Sequence, residues 1–143
     1  GSDLLPYMVF QIIGATLGAL LGNVIAGGSV PIAPAPDTPL LSAILVEFLF
    51  TFALALTVLN VATAQGTEGN SFYGLAIGFT VMCGAFAGGG ISGGAFNPAV
   101  GIALSVGALL SGTGGGWILL YILVPLAGGA LAALVFKLQG NDV

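Results

Sequence analysis

Four long apolar runs constrain the fold of this chain more than any other feature. They occupy residues 4–26, 40–64, 72–87 and 117–136. A helix needs about 20 apolar residues to cross a bilayer, within a range of about 17–25, so the third run is slightly short. Strands that cross a membrane alternate polar and apolar residues, and these runs do not. A lipid-exposed segment must satisfy its own backbone hydrogen bonds, so the runs predict an all-α membrane protein with four transmembrane helices.

The charged residues are too few to cover a water-facing surface. They make up 4% of the chain, whereas a soluble domain carries about 25%. Nucleic acid is excluded as a partner, because nothing could neutralise its phosphates. Cys83 is the single cysteine, which rules out an internal disulfide, and we expect it in the core. Lys137 is the one cationic side chain, and by the positive-inside rule it favours a cytoplasmic C-terminus.

The segments between the runs differ in character. Residues 27–39 (GGSVPIAPAPDTP) predict a loop, and residues 65–71 (QGTEGNS) predict a short polar turn. Residues 88–116 are long and still apolar. Within them, residues 98–110 would form a helix of about 20 Å, which is too short to cross the membrane. We therefore predict that residues 88–110 form a re-entrant loop and half-helix, which enters and leaves the membrane on one side.

The stretch ISGGAFNPAVGIAL, residues 91–104, places an Asn-Pro pair at the start of this half-helix. Asn97 is a preferred N-cap, and Pro98 suits the first helical position because its missing N–H would be unpaired there. One interpretation is that these residues have no further role, and that the capped half-helix only packs against the rest of the bundle.

The other interpretation considers the depth of the loop in the membrane. Irregular backbone at that depth is tolerated only when it is buried in protein or lines a water-filled cavity. The Asn97 amide would then offer donors to a pore, and the positive end of the half-helix would repel cations. The carbonyls facing the pore would be those of Gly93, Gly94, Ala95 and Phe96. The glycines expected to let the chain turn tightly are Gly88, Gly89, Gly90, Gly93 and Gly94.

An internal repeat links the first and last runs. The sequence YMVFQIIGATLGAL from Tyr7 aligns with YILVPLAGGALAAL from Tyr121 at one constant offset. By the order of the spans the two copies point in opposite directions, which is the arrangement of an inverted repeat. Inverted repeats are common in transport folds.

Five stretches of the chain resemble parts of one known family of membrane proteins. FNPAV, within GGGISGGAFNPAVGIAL, resembles the Asn-Pro-Ala loop of the aquaporin, or major intrinsic protein, family. YMVFQIIGATLGALL resembles the third span of that family, LVEFLFTFALALTVLNVA its fourth, YGLAIGFTVMCGAFAGG its fifth and YILVPLAGGALAALVFKL its sixth. The resemblance covers nearly the whole chain. It implies an aquaporin-like right-handed helical bundle and a passive channel, with Asn97, Pro98 and Ala99 as the pore motif.

The resemblance covers only part of the family's architecture. That family has six spans and two Asn-Pro-Ala loops, whose half-helices meet head to head. The chain looks like the second repeat together with the last span of the first, so about 80–100 residues would be missing. The alternative is a half-size chain that assembles as antiparallel pairs. The lack of an initiator Met and the extra third-type span favour a fragment.

Glu47 lies inside the second apolar run, where an ionisable group is costly and is usually functional. The resemblance implies that Glu47 accepts hydrogen bonds from backbone N–H groups of the re-entrant loop and braces it. The alternative is a carboxylate near the helix end that reaches the membrane interface.

Selectivity is where the sequence departs from the family pattern. Many water channels of the family carry Arg directly after the second Asn-Pro-Ala, and here that position is Val100. The resemblance implies an outer constriction formed by Ala85, Gly94 and Val100, with a fourth residue in the missing part. All three are small and uncharged. We therefore expect water and small neutral solutes such as glycerol, urea, ammonia or hydrogen peroxide to pass, and protons and ions to be excluded.

Three other classes of function have weaker support. An enzyme is disfavoured, because the chain has no His, no activating environment for its cysteine and no paired carboxylates. A non-conducting structural or adhesive membrane protein of the same fold is the main alternative, and a flux assay would separate it from a channel. A coupled transporter would need titratable groups along a path, and Glu47 alone is thin support. The family resemblance implies a homotetramer in the lipid bilayer, with no cofactor and no metal.

Overall fold

The computed structural model describes residues 2–29 and 31–140. All regular structure within those ranges is helical. One turn of 3-10 helix, Gln65–Thr67, lies between the second and third α-helices. The five α-helices are α1 (Leu4–Ala26), α2 (Leu40–Ala62), α3 (Tyr73–Ser92), α4 (Pro98–Leu110) and α5 (Ile118–Leu138).

Four of these helices, α1, α2, α3 and α5, are long and apolar enough to cross a membrane. Helix α4 has 13 residues and is too short to do so. The prediction of an all-α fold class, a partial bundle of four spans and one shorter helix, is therefore confirmed. Large apolar side chains face outward on all four long helices, as a lipid environment requires.

The predicted end of the third span is wrong. Helix α3 continues past residue 87 to Ser92, so Gly88, Gly89 and Gly90 are helical rather than part of a loop. The helix ends at Gly93, whose φ of +92° is the left-handed conformation that closes many helices. Glycine has a poor helix propensity, but close packing against α2 compensates here: a Cβ at Gly88 would meet the Val46 side chain.

Helix α2 packs against both α3 and α5. Helix α4 packs against α1 and α5. The α2–α5 crossing is close because Gly128 has no side chain: a Cβ there would lie 2.6 Å from the Phe48 carbonyl oxygen. This packing holds the loop that precedes α4 beside Glu47 and Phe50 of α2.

The expectation that Cys83 lies in the core is also wrong, since its side chain is exposed. The buried positions of α3 are Gly84, Gly88 and Ser92, which recur every four residues and so share one helix face. That face meets α2 and the following loop. Cys83 lies beside this face, on a part of α3 that α2 does not cover.

Candidate functional site

The candidate site is the short loop of residues 93–97, between α3 and α4. Three of its residues have left-handed backbone: Gly93 with φ of +92°, Gly94 with φ of +72° and Phe96 with φ of +48°. Glycine adopts this conformation without steric cost, but a bulky residue does not. Phe96 therefore holds its conformation only because its surroundings fix it.

The Phe96 ring is the anchor of the loop. It is 4% exposed, and its centroid lies 5.4 Å from that of Phe50 on α2. The ring fits against α3 because Gly84 and Gly88 leave room for it: a Cβ at Gly84 would lie 2.9 Å from the ring. This role of the ring was not predicted from the sequence, which suggested a role only for the Phe96 carbonyl. The signal was present, since two glycines four residues apart precede an aromatic residue in an otherwise small-residue loop.

The Glu47 carboxylate of α2 accepts hydrogen bonds from the loop. Its side chain is fully buried, so it does not reach the membrane interface. Oε1 accepts hydrogen bonds from the Ala95 N–H (3.0 Å) and from the Ser92 hydroxyl (2.7 Å), and Oε2 accepts one from the Phe96 N–H (2.8 Å). A buried carboxylate is costly unless hydrogen bonds compensate it, and three donors do so here.

Ser92 and Tyr121 add further hydrogen bonds to the loop, and the sequence predicted this role for neither of them. The Ser92 hydroxyl, which donates to Glu47, also accepts from the Gly94 N–H at 3.2 Å. The Tyr121 hydroxyl donates to the Ser92 carbonyl oxygen. The Tyr121 side chain is fully buried.

Tyr121→Phe tests this second brace. We expect it to lower the free energy of unfolding of this chain by about 1–2 kcal/mol, because the Ser92 carbonyl loses its donor in a buried position. Tyr7→Phe is the matched control: Tyr7 is 65% exposed here, and removing its hydroxyl should change stability by less than about 0.5 kcal/mol. Denaturant titration in detergent measures both. Equal losses for the two variants would contradict the assigned role of Tyr121.

Asn97 is the N-cap of α4, as predicted. Its Oδ1 accepts a hydrogen bond from the Ala99 N–H at 2.9 Å, its carbonyl accepts one from the Gly101 N–H at 3.0 Å, and Pro98 takes the first helical position. Asn97 is half-buried. Within the described part of the chain, its amide Nδ2 has no hydrogen-bond acceptor. Two donor hydrogens therefore remain available beside the positive end of α4.

The N–H groups and the carbonyl groups of the loop differ in their hydrogen bonding. The N–H groups of Gly94, Ala95 and Phe96 all bond to Ser92 or Glu47. No donor among residues 2–29 and 31–140 bonds to the carbonyl oxygens of residues 93–96. This arrangement offers a row of acceptors followed by the Asn97 amide donors, which suits small polar molecules that both donate and accept hydrogen bonds.

The three residues predicted to form the constriction lie on three different elements. Ala85 is exposed on α3, Gly94 is half-buried in the loop, and Val100 is half-buried in the first turn of α4. Val100 borders an apolar groove between α1 and α4, with a volume of about 290 Å³. The other residues that line this groove are Ala15, Gly18, Ala19, Gly22, Ala103 and Leu104.

No group of three or more His, Cys, Asp or Glu side chains within the described ranges is placed to hold a metal ion. The site is built from backbone carbonyls, one amide side chain and a buried carboxylate that accepts three hydrogen bonds.

The chain is similar in sequence to known proteins. A sequence model described as "Major intrinsic protein" matches residues 3–136. The chain is 37% identical to aquaporin TIP2-1 of Zea mays, over 91% of this chain and 51% of that protein. It is 33% identical to the probable aquaporin AqpM of Archaeoglobus fulgidus (99% and 61%) and 29% identical to aquaporin AqpM of Methanothermobacter marburgensis (96% and 59%). The chain thus spans about half to three fifths of the length of these relatives.

Proposed function

We propose that this chain, which belongs to the major intrinsic protein family and is an integral multi-pass membrane protein, forms one part of a passive transmembrane channel for water and small neutral solutes. The observation that carries the proposal is the division of the loop backbone. Its N–H groups at residues 94–96 are bonded to Glu47 and Ser92, while no group in the described part of the chain bonds to the carbonyls of residues 93–96 or to the Asn97 amide Nδ2. A channel needs such groups, because they replace the hydrogen bonds that a permeant leaves behind in bulk water.

The same groups provide a mechanism for excluding protons. A water molecule would move along the carbonyls of residues 93–96, donating hydrogen bonds to them. At Asn97 the amide would donate to the oxygen of that water, which orients both of its hydrogens away from the asparagine. A continuous chain of uniformly oriented waters is then broken at this point. The positive end of α4 adds an electrostatic barrier to hydronium and to metal cations.

The remaining wall of the pore would come from a second half-bundle. The relatives are nearly twice as long as this chain, and α1 presents a face that nothing in the described residues covers. Tyr7 and Gly14 on that face are the repeat counterparts of Tyr121 and Gly128, both of which are buried in α5. We propose that an inverted copy of the α2–α4 unit covers this face in the complete channel, with α1 as the counterpart of α5, and that it supplies the second loop and the fourth constriction residue.

The proposal has a direct test in lipid vesicles. We expect vesicles that contain the full-length gene product to shrink faster after an osmotic shock than protein-free vesicles, as measured by light scattering. We also expect no accompanying proton flux, as measured with a pH-sensitive dye inside the vesicles. Water flux at the rate of bare lipid would instead favour a non-conducting structural or adhesive protein of the same fold.

Val100→Arg tests the proposed solute range. The substitution adds a cation and several hydrogen-bond donors to a constriction that is otherwise small and uncharged, so it should narrow the path and favour water. We expect the flux of glycerol and urea to fall several-fold more than the flux of water. Solute-driven reswelling of vesicles gives the first quantity and osmotic shrinkage the second. Equal reductions in the two fluxes would rule out this assignment of Val100.

We also propose an orientation and an oligomeric state for the complete protein. Lys137, in the last turn of α5, supports a cytoplasmic C-terminus through the positive-inside rule. The family resemblance supports a homotetramer. Protease access to a C-terminal tag in oriented membranes tests the first property, and chemical cross-linking in native membranes tests the second.

A further inference from the structure

The link between α1 and α2 rests on the candidate loop. The Ala35 N–H donates a hydrogen bond to the Ile91 carbonyl near the end of α3, at 3.0 Å. A Cβ at Gly93 would lie 3.0 Å from both the Ala33 carbonyl oxygen and the Ile32 side chain. The link therefore contacts the last turn of α3 and the first residue of the loop, although it is more than fifty residues away in sequence.

One side chain of the link is inserted into the protein. Ile32 is 6% exposed and forms a buried apolar cluster with Ala95 and Tyr121. Val100, Leu104 and Leu120 pack against this cluster. Ile32 therefore lies close to three residues of the site. The Ala95 N–H bonds to Glu47, the Tyr121 hydroxyl bonds to the Ser92 carbonyl, and Val100 is proposed for the constriction.

We propose that Ile32 is a positioning residue that sets the width of the constriction through Val100, an inference that rests on the proposed channel function. Val100 has the Ile32 cluster on one side and the open groove toward α1 on the other. Protein interiors are close-packed, so a change of volume on the cluster side is transmitted to the neighbouring side chain. A smaller residue at position 32 lets Val100 move back from the pore, and a larger one pushes Val100 and the Ala95 backbone toward it.

The first experiment measures solute and water flux with the full-length gene product in vesicles. Ile32→Ala should raise the ratio of glycerol to water flux by about twofold or more, and Ile32→Phe should lower it, because the constriction admits solutes by size. Ile32→Val should shift the ratio in the same direction as Ile32→Ala, but by less, and it serves as the variant least expected to disturb folding. Leu123→Ala is the control, since Leu123 is 60% exposed on α5, is not among the buried residues of that helix, and should leave the ratio unchanged.

The second experiment does not depend on flux. Val100→Cys, in a Cys83→Ala background, is labelled with a small water-soluble thiol reagent. Its labelling rate should change in opposite directions when Ile32 is made smaller and larger. An unchanged rate and an unchanged flux ratio, or shifts of the same sign for Ala and Phe, would overturn the role of Ile32. If wild-type vesicles conduct no faster than lipid, the proposed function fails, while the labelling rates still decide whether Ile32 positions Val100.

Discussion

Glu47→Gln is expected to destabilise the loop and to remove most of the channel-mediated water flux. The amide of Gln can replace only one carboxylate oxygen as an acceptor, so its NH₂ group must face either the Phe96 N–H or the Ala95 N–H. At least one buried donor is then left unpaired, and the charge that strengthens the other hydrogen bonds is lost. The free energy of unfolding should fall by at least about 2 kcal/mol.

Two measurements check this expectation. Denaturant titration of this chain in detergent gives the stability, and osmotic shrinkage of vesicles with the full-length gene product gives the flux. Glu68→Gln is the control for the same chemical change, because Glu68 is exposed in the turn between α2 and α3. A Glu47→Gln protein with the stability and flux of the Glu68→Gln protein would show that the carboxylate does not brace the loop.

Asn97→Ser should separate the two roles of Asn97, in capping the helix and in lining the proposed pore. Serine is as good an N-cap as asparagine, so the stability of α4 should change by less than about 0.5 kcal/mol. Serine lacks the amide and its side chain is shorter, so the two donor hydrogens at the centre of the proposed pore are lost. We expect water flux to fall markedly, or a proton leak to appear, in a protein that remains folded.

Asn97→Ala provides the comparison for the cap. Alanine removes the hydrogen bond to the Ala99 N–H as well as the amide, so it should show the same loss of function together with a destabilisation of about 1 kcal/mol. Flux and proton leak are measured in vesicles, and stability is measured by denaturant titration. A serine variant with normal water flux and no proton leak would contradict the proposed role of the amide, whatever its effect on the helix.

The bracing network explains why stability and proposed function should be lost together at Glu47 and separately at Asn97. Glu47 bonds to the Ala95 and Phe96 N–H groups, so its substitution is expected to shift the loop backbone as a whole. Asn97 contributes its amide from a side chain, while the cap is made by the oxygen alone. Substitutions at these two residues therefore separate a loss of loop stability from a loss of the amide that is proposed to line the pore.

The helical elements could be predicted because their signals are local. Each span is a run of apolar residues of the length that a membrane requires, and the start of α4 follows from the neighbouring residues Asn97 and Pro98. The end of α3 could not be predicted in this way. Glycine has a low helix propensity, and the packing of Gly88 against α2 that offsets this cost is visible only in three dimensions.

The candidate site could be predicted only in part for the same reason. Glu47 was suspected because a carboxylate inside an apolar span is unusual, and its partners came from a family resemblance. Ser92, Tyr121 and Ile32 carry no such mark in the sequence, because serine, tyrosine and isoleucine are ordinary residues of membrane helices and loops. Their roles come from contacts between distant segments: Ser92 and Tyr121 are 29 residues apart in the chain, and Ile32 and Ala95 are 63 residues apart.

The sequence by itself determined the environment, the number of spans and the family of this protein, because apolar length, scarce charge and the Asn-Pro-Ala stretch are properties of contiguous residues. Only the tertiary structure decided how the loop is held. Glu47 and Ser92 accept hydrogen bonds from its N–H groups, and the Phe96 ring packs over Gly84. Ile32, from the distant link between α1 and α2, packs against Ala95. These contacts depend on which helix faces pack together. That choice is made by the shape and hydrogen-bonding needs of the whole bundle, and no single stretch of sequence contains it.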